Sequence, residues 1–102
     1  MQWYTANCVF RSAIAGGAKK QLWEHRYFLL RADDEKVAEA VAKKLAESKQ
    51  HNYVSAEGKK VRWIFDRLIA VKEVVGELAE GTEVYHEYFS PSLKSNQKSK
   101  AK

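Results

Sequence analysis

Asp33-Asp34-Glu35-Lys36-Val37-Ala38-Glu39-Ala40-Val41-Ala42-Lys43-Lys44-Leu45-Ala46-Glu47-Ser48-Lys49 is the stretch whose apolar residues recur every four positions. Val37, Val41 and Leu45 form a narrow stripe, with Ala38, Ala40 and Ala42 beside it, and the spacing predicts a helix over about residues 34–49. Asp33 is a natural N-cap, and Asp34 and Glu35 put negative charge at the positive end of the helix dipole. Glu39 and Lys43 stand four apart in the favourable order. Small alanine side chains allow such a helix to approach a sheet closely, so the sheet has to supply the bulk of the core.

On both sides of this helix the period changes to two. Residues 2–14 are aromatic and β-branched and read as a strand, with Tyr4, Ala6, Cys8 and Phe10 on one face and Trp3, Thr5, Asn7 and Val9 on the other. Gly16-Gly17-Ala18-Lys19-Lys20 is a polar connection, and residues 21–32 resume as a second strand, so the pair reads as a hairpin. After the helix come a short strand at Tyr53-Val54-Ser55, a turn at Ala56-Glu57-Gly58-Lys59, and a long strand over 60–71. Residues 73–79 read as one or two helical turns closed by Gly81, and 82–89 as a last strand ended by Pro91. The order β-β-α-β-β-(short α)-β predicts the α+β class: an antiparallel sheet of four to five strands with one long helix on one face.

At 102 residues the chain matches one domain, expected over residues 1–91, with 92–102 as a disordered basic tail. Four of the 18 Lys and Arg residues follow Leu93, leaving 14 basic against 13 acidic residues before it. Near-neutrality of the folded part disfavours an electrostatically driven nucleic-acid binder. No apolar run approaches the roughly 18–20 residues of a spanning helix, so no membrane role is expected. Met1-Gln2-Trp3-Tyr4 lacks the basic start of a signal peptide, and Cys8 is the lone cysteine; both fit a cytoplasmic protein.

The tryptophans raise the question of what the sheet faces meet. Trp3, Trp23 and Trp63 lie on three strands, each with large residues of its own parity: Val9; Tyr27 and Leu29; Val61 and Phe65. The opposite parity is apolar as well, with Phe28, Leu30, Ile64 and Leu68 joining the Tyr4 row. One helix covers one face, so the other needs a lid, a ligand or a second subunit. Trp3, Trp23, Tyr27, Trp63 and Phe65 are accordingly the expected partner-binding residues. A bulge in a long strand would exchange the faces and change that grouping.

Catalytic and metal chemistry find little support. His25, His51 and His86 share no metal spacing, and Cys8 has no cysteine partner, so no metal and no cofactor are expected. Asp66 interrupts an apolar strand, which fits a solvent-facing position better than a catalytic carboxylate. On a strand, Glu83 and Glu87 would face together and His86 away from them. Lys59-Lys60-Val61-Arg62-Trp63-Ile64-Phe65 alternates basic and aromatic residues as single-strand RNA platforms do, without their glycine-aromatic core.

Several blocks together resemble a family of small bacterial proteins catalogued as domain of unknown function 4288. They are Trp3-Tyr4-x-Ala6, the second strand running into Ala32, Ala40, Tyr53, Gly58-x-x-Val61-x-Trp63-x-Phe65, Val71 and Gly81-Thr82-Glu83-Val84-Tyr85. The resemblance spans roughly residues 3–90 and implies bacterial origin and a stand-alone domain. It carries no activity, cofactor or catalytic residue. The leading expectation is a non-enzymatic binding module that self-associates or holds another protein through an aromatic sheet face. Nucleic-acid binding through Arg62, Trp63 and the lysine tail is a second reading, and a small enzyme using Asp66 or His86 in a helix–sheet pocket a third.

Overall fold

A computed structural model describes residues 1–16 and 21–91. The connection at residues 17–20 and the tail at 92–102 lie outside the described residues. The elements are β1 (Gln2–Ile14), β2 (Trp23–Ala32), α1 (Glu35–Ser48), β3 (His51–Val54) and β4 (Lys60–Val74). They form an open four-stranded sheet in the order β2-β1-β4-β3, each neighbouring pair antiparallel, with α1 across one face. This is the four-stranded form of the expected α+β fold.

Central β1 carries the core. Its even-numbered residues Tyr4, Ala6, Cys8 and Phe10 are buried under α1 together with Leu30 and Ala32 of β2. The helix contributes Ala38, Ala42 and Ala46, all fully buried, whereas Val37 and Val41 remain 44% and 37% exposed. The inward stripe is therefore one residue further along than the Val37–Val41–Leu45 periodicity indicates. A helix lying close to a sheet already filled by Phe10, Phe28 and Phe65 has room at its nearest line for methyl groups only. The cap is also one residue later: Asp34, not Asp33, has extended backbone and accepts the Val37 N–H at 2.9 Å.

Two bulges in β4 reset its faces. Asn7 pairs with Ala70 but Cys8 with Leu68, and Val9 pairs with Arg67 but Phe10 with Phe65, leaving Ile69 and Asp66 without partners on β1. Each extra residue reverses the alternation. Consequently Leu68 turns toward α1 with the odd-numbered Val61, Trp63, Phe65 and Val71, a grouping strict alternation cannot produce. The expected five-residue aromatic face is corrected by the register, which sets odd-numbered β4 residues opposite even-numbered β1 residues on both sides of the bulges. Trp63 and Phe65 pack against the core under α1 and Arg26, while Trp3, Trp23 and Tyr27 occupy the other face. Beyond the end of β3, the Gln50 side chain accepts the Phe65 N–H at 2.9 Å and continues the ladder by one bond.

Residues 75–91 carry no helix or strand. The expected helical turn at 73–79 is absent because Glu73 and Val74 still pair with Tyr4 and Trp3. Gly76 and Gly81, with φ of 87° and 91°, break the backbone on either side of a compact turn. Thr82 closes it, its N–H donating to Ala79 O at 3.0 Å and its hydroxyl accepting the Ala79 N–H at 2.9 Å. The segment 82–89 has the composition of a strand, but a strand exists only with a ladder partner, and here it runs as an irregular arm. Among the described residues, no helix is long and apolar enough to cross a membrane.

Candidate functional site

The face of the sheet away from α1 combines a buried polar centre, an exposed apolar margin and a basic end. Odd-numbered β1 residues line its middle, and Thr5, Asn7 and Val9 are buried there without help from the helix. Asn7 is the pivot. Its carboxamide oxygen meets His25 Nδ1 at 2.8 Å and its amide donates to the Tyr85 hydroxyl at 3.2 Å. With that amide orientation, His25 carries its proton on Nδ1. The Tyr85 ring also packs edge-on against Tyr27, with centroids 5.0 Å apart. The arm thus acts as a partial lid pinned by one tyrosine. Burial, then the nearby Glu87 carboxylate and Tyr85, raise the Tyr27 hydroxyl above its ordinary 10.0, so it stays protonated at neutral pH.

This cluster is a hydrogen-bonded anchor with no nucleophile in it. The one thiol lies on the opposite face: Cys8 is fully buried, and burial pushes it from its ordinary 9.0 up to about 11. A thiolate nucleophile requires the reverse shift. Because the folded value exceeds the unfolded one, this contribution to stability is complete below about pH 9 and is lost as pH climbs through about 11. Tyr4 and Tyr27, both raised above 10.0, act with the same sign at higher pH. Urea midpoints should therefore fall between about pH 9 and pH 11, and less steeply in Cys8→Ala. A thiol reagent should label native Cys8 only as fast as the core opens.

Asp66 is neither a free surface carboxylate nor an isolated buried one. As the unpaired residue of a bulge it reaches two guanidinium groups, Arg11 at 3.5 Å and Arg67 at 2.6 Å. It lines an open depression of ≈ 460 Å³ between α1 and β4, with Glu39 and Lys43 on the helix side. On the irregular arm His86 comes to 4.0 Å from Glu83, where strand alternation would have separated them, and both remain exposed. Among the described residues, no three His, Cys, Asp or Glu side chains gather closely enough to hold a metal ion.

The apolar margin lies along β2, where Trp23, Tyr27 and Leu29 are 53%, 48% and 46% exposed on the same face. Trp3 sits beside them, half-buried beneath the Arg31 guanidinium at 5.1 Å. Sequence reasoning found these aromatics but missed Asn7, His25 and Tyr85 as a unit. Hairpin register could have brought His25 toward Asn7, since Tyr27 is the residue directly across from it. Tyr85 was not findable while 82–89 read as a strand.

The fold and this face define an α+β protein built on an open antiparallel sheet, with a helix on one side and a surface only partly covered on the other. The chain belongs to the family described as domain of unknown function (DUF4288), whose model matches residues 3–86, a span that includes Tyr85 and ends before the arm does. No curated protein and no solved structure matches it.

Proposed function

We propose that this protein is a non-enzymatic interaction module that self-associates through β2 and the apolar margin beside it. The observation that carries the reading is a long regular edge flanked by exposed Trp23, Tyr27 and Leu29. Exposed edges template pairing with other chains, and proteins blunt them with bulges, prolines or short lengths. The free length of β4 beyond β3 contains both bulges, and β3 has only four residues. β2 has ten residues, no proline and no register shift against β1.

The occupant that fits is a second β2. A two-fold axis pairs a strand with itself antiparallel, setting odd-numbered residues against odd-numbered ones. Tyr27 and Leu29 of both copies would then pack on one face of a continuous sheet. Glu24 and Arg26 carry opposite charges on the other face, so self-pairing brings no single-sign repulsion. Trp23 and Trp3 flank this contact, while Trp63 and Phe65 support it only through the core.

Light scattering on the full chain should give twice the monomer mass at roughly 100 μM, where a micromolar dimer is nearly saturated. Leu29→Lys and Tyr27→Asp should return it to monomer while circular dichroism stays unchanged. A monomer at that concentration would refute the reading.

A further inference from the structure

The arm and the sheet beneath it carry opposite charge. Cross-strand pairs share a face, and the register places Arg11, Arg31, Arg62, Arg67 and Lys72 on the side away from α1. The arm lies over that side, and residues 75–91 hold Glu77, Glu80, Glu83 and Glu87 with neither Lys nor Arg. Arg11 and Arg67 are held by Asp66, and Lys72 borders a small cleft with Glu83. Arg31, at the apolar margin, lies over Trp3, and no carboxylate among the described residues pairs with it.

The arm also has a direction. It starts beside Lys72 of β4, Tyr85 reaches Asn7 of β1 and packs on Tyr27 of β2, and Glu87 comes near the Tyr27 hydroxyl. It therefore crosses β4, β1 and β2 in turn, toward the free edge of the sheet. Strands lie about 4.8 Å apart and an extended chain advances about 3.3 Å per residue, so three residues past Tyr85 suffice to pass that edge. Tyr88 stands at this point. Its ring meets that of His86 in the arm itself, and it is 90% exposed.

From this path we infer that the arm straps the joint between two copies, with Tyr88 packed on the partner's Leu29 and Glu87 paired with the partner's Arg31. That contact exists only in the β2-paired dimer and so rests on the self-association proposed above. A two-fold axis that pairs two β2 edges stands normal to the sheet. Both copies then turn the same face to the same side, and each arm runs out onto the other copy. Tyr27 opposite its own counterpart would bring both arms to one place. Tyr27 opposite Leu29 offsets them by about 7 Å along the strands, and it sets the half-exposed Leu29 of the partner in the path of Tyr88. The same register places the partner's Arg31 opposite His25, diagonal to Tyr27, where a long side chain reaches Glu87.

Mixing two charge-reversed full chains tests this, with dimer affinity read by sedimentation at low salt. Glu87→Arg and Arg31→Glu should each raise the dimer Kd at least about tenfold, because each sets like charges together at two symmetric places. An equimolar mixture of the two variants should recover the affinity of the unaltered chain, since the mixed dimer has opposite charges at both places. Tyr88→Ala should raise Kd at least about tenfold as well, the loss of an aromatic anchor from each side. Circular dichroism on each variant reports that the fold persists. Single variants that dimerise as tightly as the unaltered chain would overturn the strap and leave self-association standing. So would a loss that mixing does not restore, which would place the charge pair within one chain. A monomeric unaltered chain would overturn both.

Discussion

Phe10→Ala is expected to remove about 3–5 kcal/mol of stability, the range for deleting a fully buried aromatic ring. The ring is completely buried at the centre of β1, edge-on to Phe28 at 6.4 Å and tilted against Phe65 at 5.8 Å. The Arg26 guanidinium lies over it at 4.4 Å. Three strands thus converge on one side chain. The helix above offers alanines, which cannot reach down to fill the void, so the cavity should remain largely open. Domains of this size have about 5–15 kcal/mol in total, and the variant should be partly unfolded at 37 °C. Urea unfolding followed by tryptophan fluorescence measures the loss. Phe10→Leu, which restores most of the volume, should cost much less. Equal loss in the two variants would show that Phe10 is not the keystone of the core.

The second large effect has the opposite origin. Ala42→Leu is expected to destabilise by about 1–3 kcal/mol through overpacking, although leucine is as apolar as the site and favours helix. Ala42 is fully buried between Ala38 and Ala46 on the line where α1 lies closest to the sheet. A longer side chain there must lift the helix or leave its rotamer. Val41→Leu, one position away on the half-exposed side, should change stability by less than about 0.5 kcal/mol. Thermal unfolding of the two variants side by side is decisive: if Ala42→Leu is as stable as Val41→Leu, the helix is not held at close range.

How much was legible follows from which interactions are local. The boundaries of β1, the existence of α1 and its acidic start come from periodicity and capping within a few residues, and the structure reproduces them closely. The fate of Asp33 and Asp34 was less legible, since adjacent aspartates compete for one cap and only the path of the chain out of β2 selects Asp34. The arm was misread for a related reason. Thr82 to Phe89 alternates well, but its ladder partner is a matter of tertiary pairing, and Tyr85 instead finds Asn7 and Tyr27 on a face the chain reaches only after two glycine turns.

The candidate surface divides along the same line. Trp3, Trp23 and Tyr27 share a face because β1 and β2 alternate without interruption, so their grouping was written in the sequence. Trp63 and Phe65 were separated from them by register, because on both sides of the two β4 bulges odd-numbered residues of β4 stand opposite even-numbered residues of β1. A bulge is a mismatch between two strands, so it exists only once both are paired. Arg67 takes its face from one such mismatch, since strict alternation from Arg62 would have turned it toward α1.

The sequence by itself determined that this protein is an antiparallel sheet with one alanine-rich helix, because periods of two and four residues are properties of a single segment. Only the tertiary structure decided which face each long strand presents, where the arm lies and how the charges sort. Those outcomes depend on register between segments tens of residues apart, and one unpaired residue is enough to reverse them.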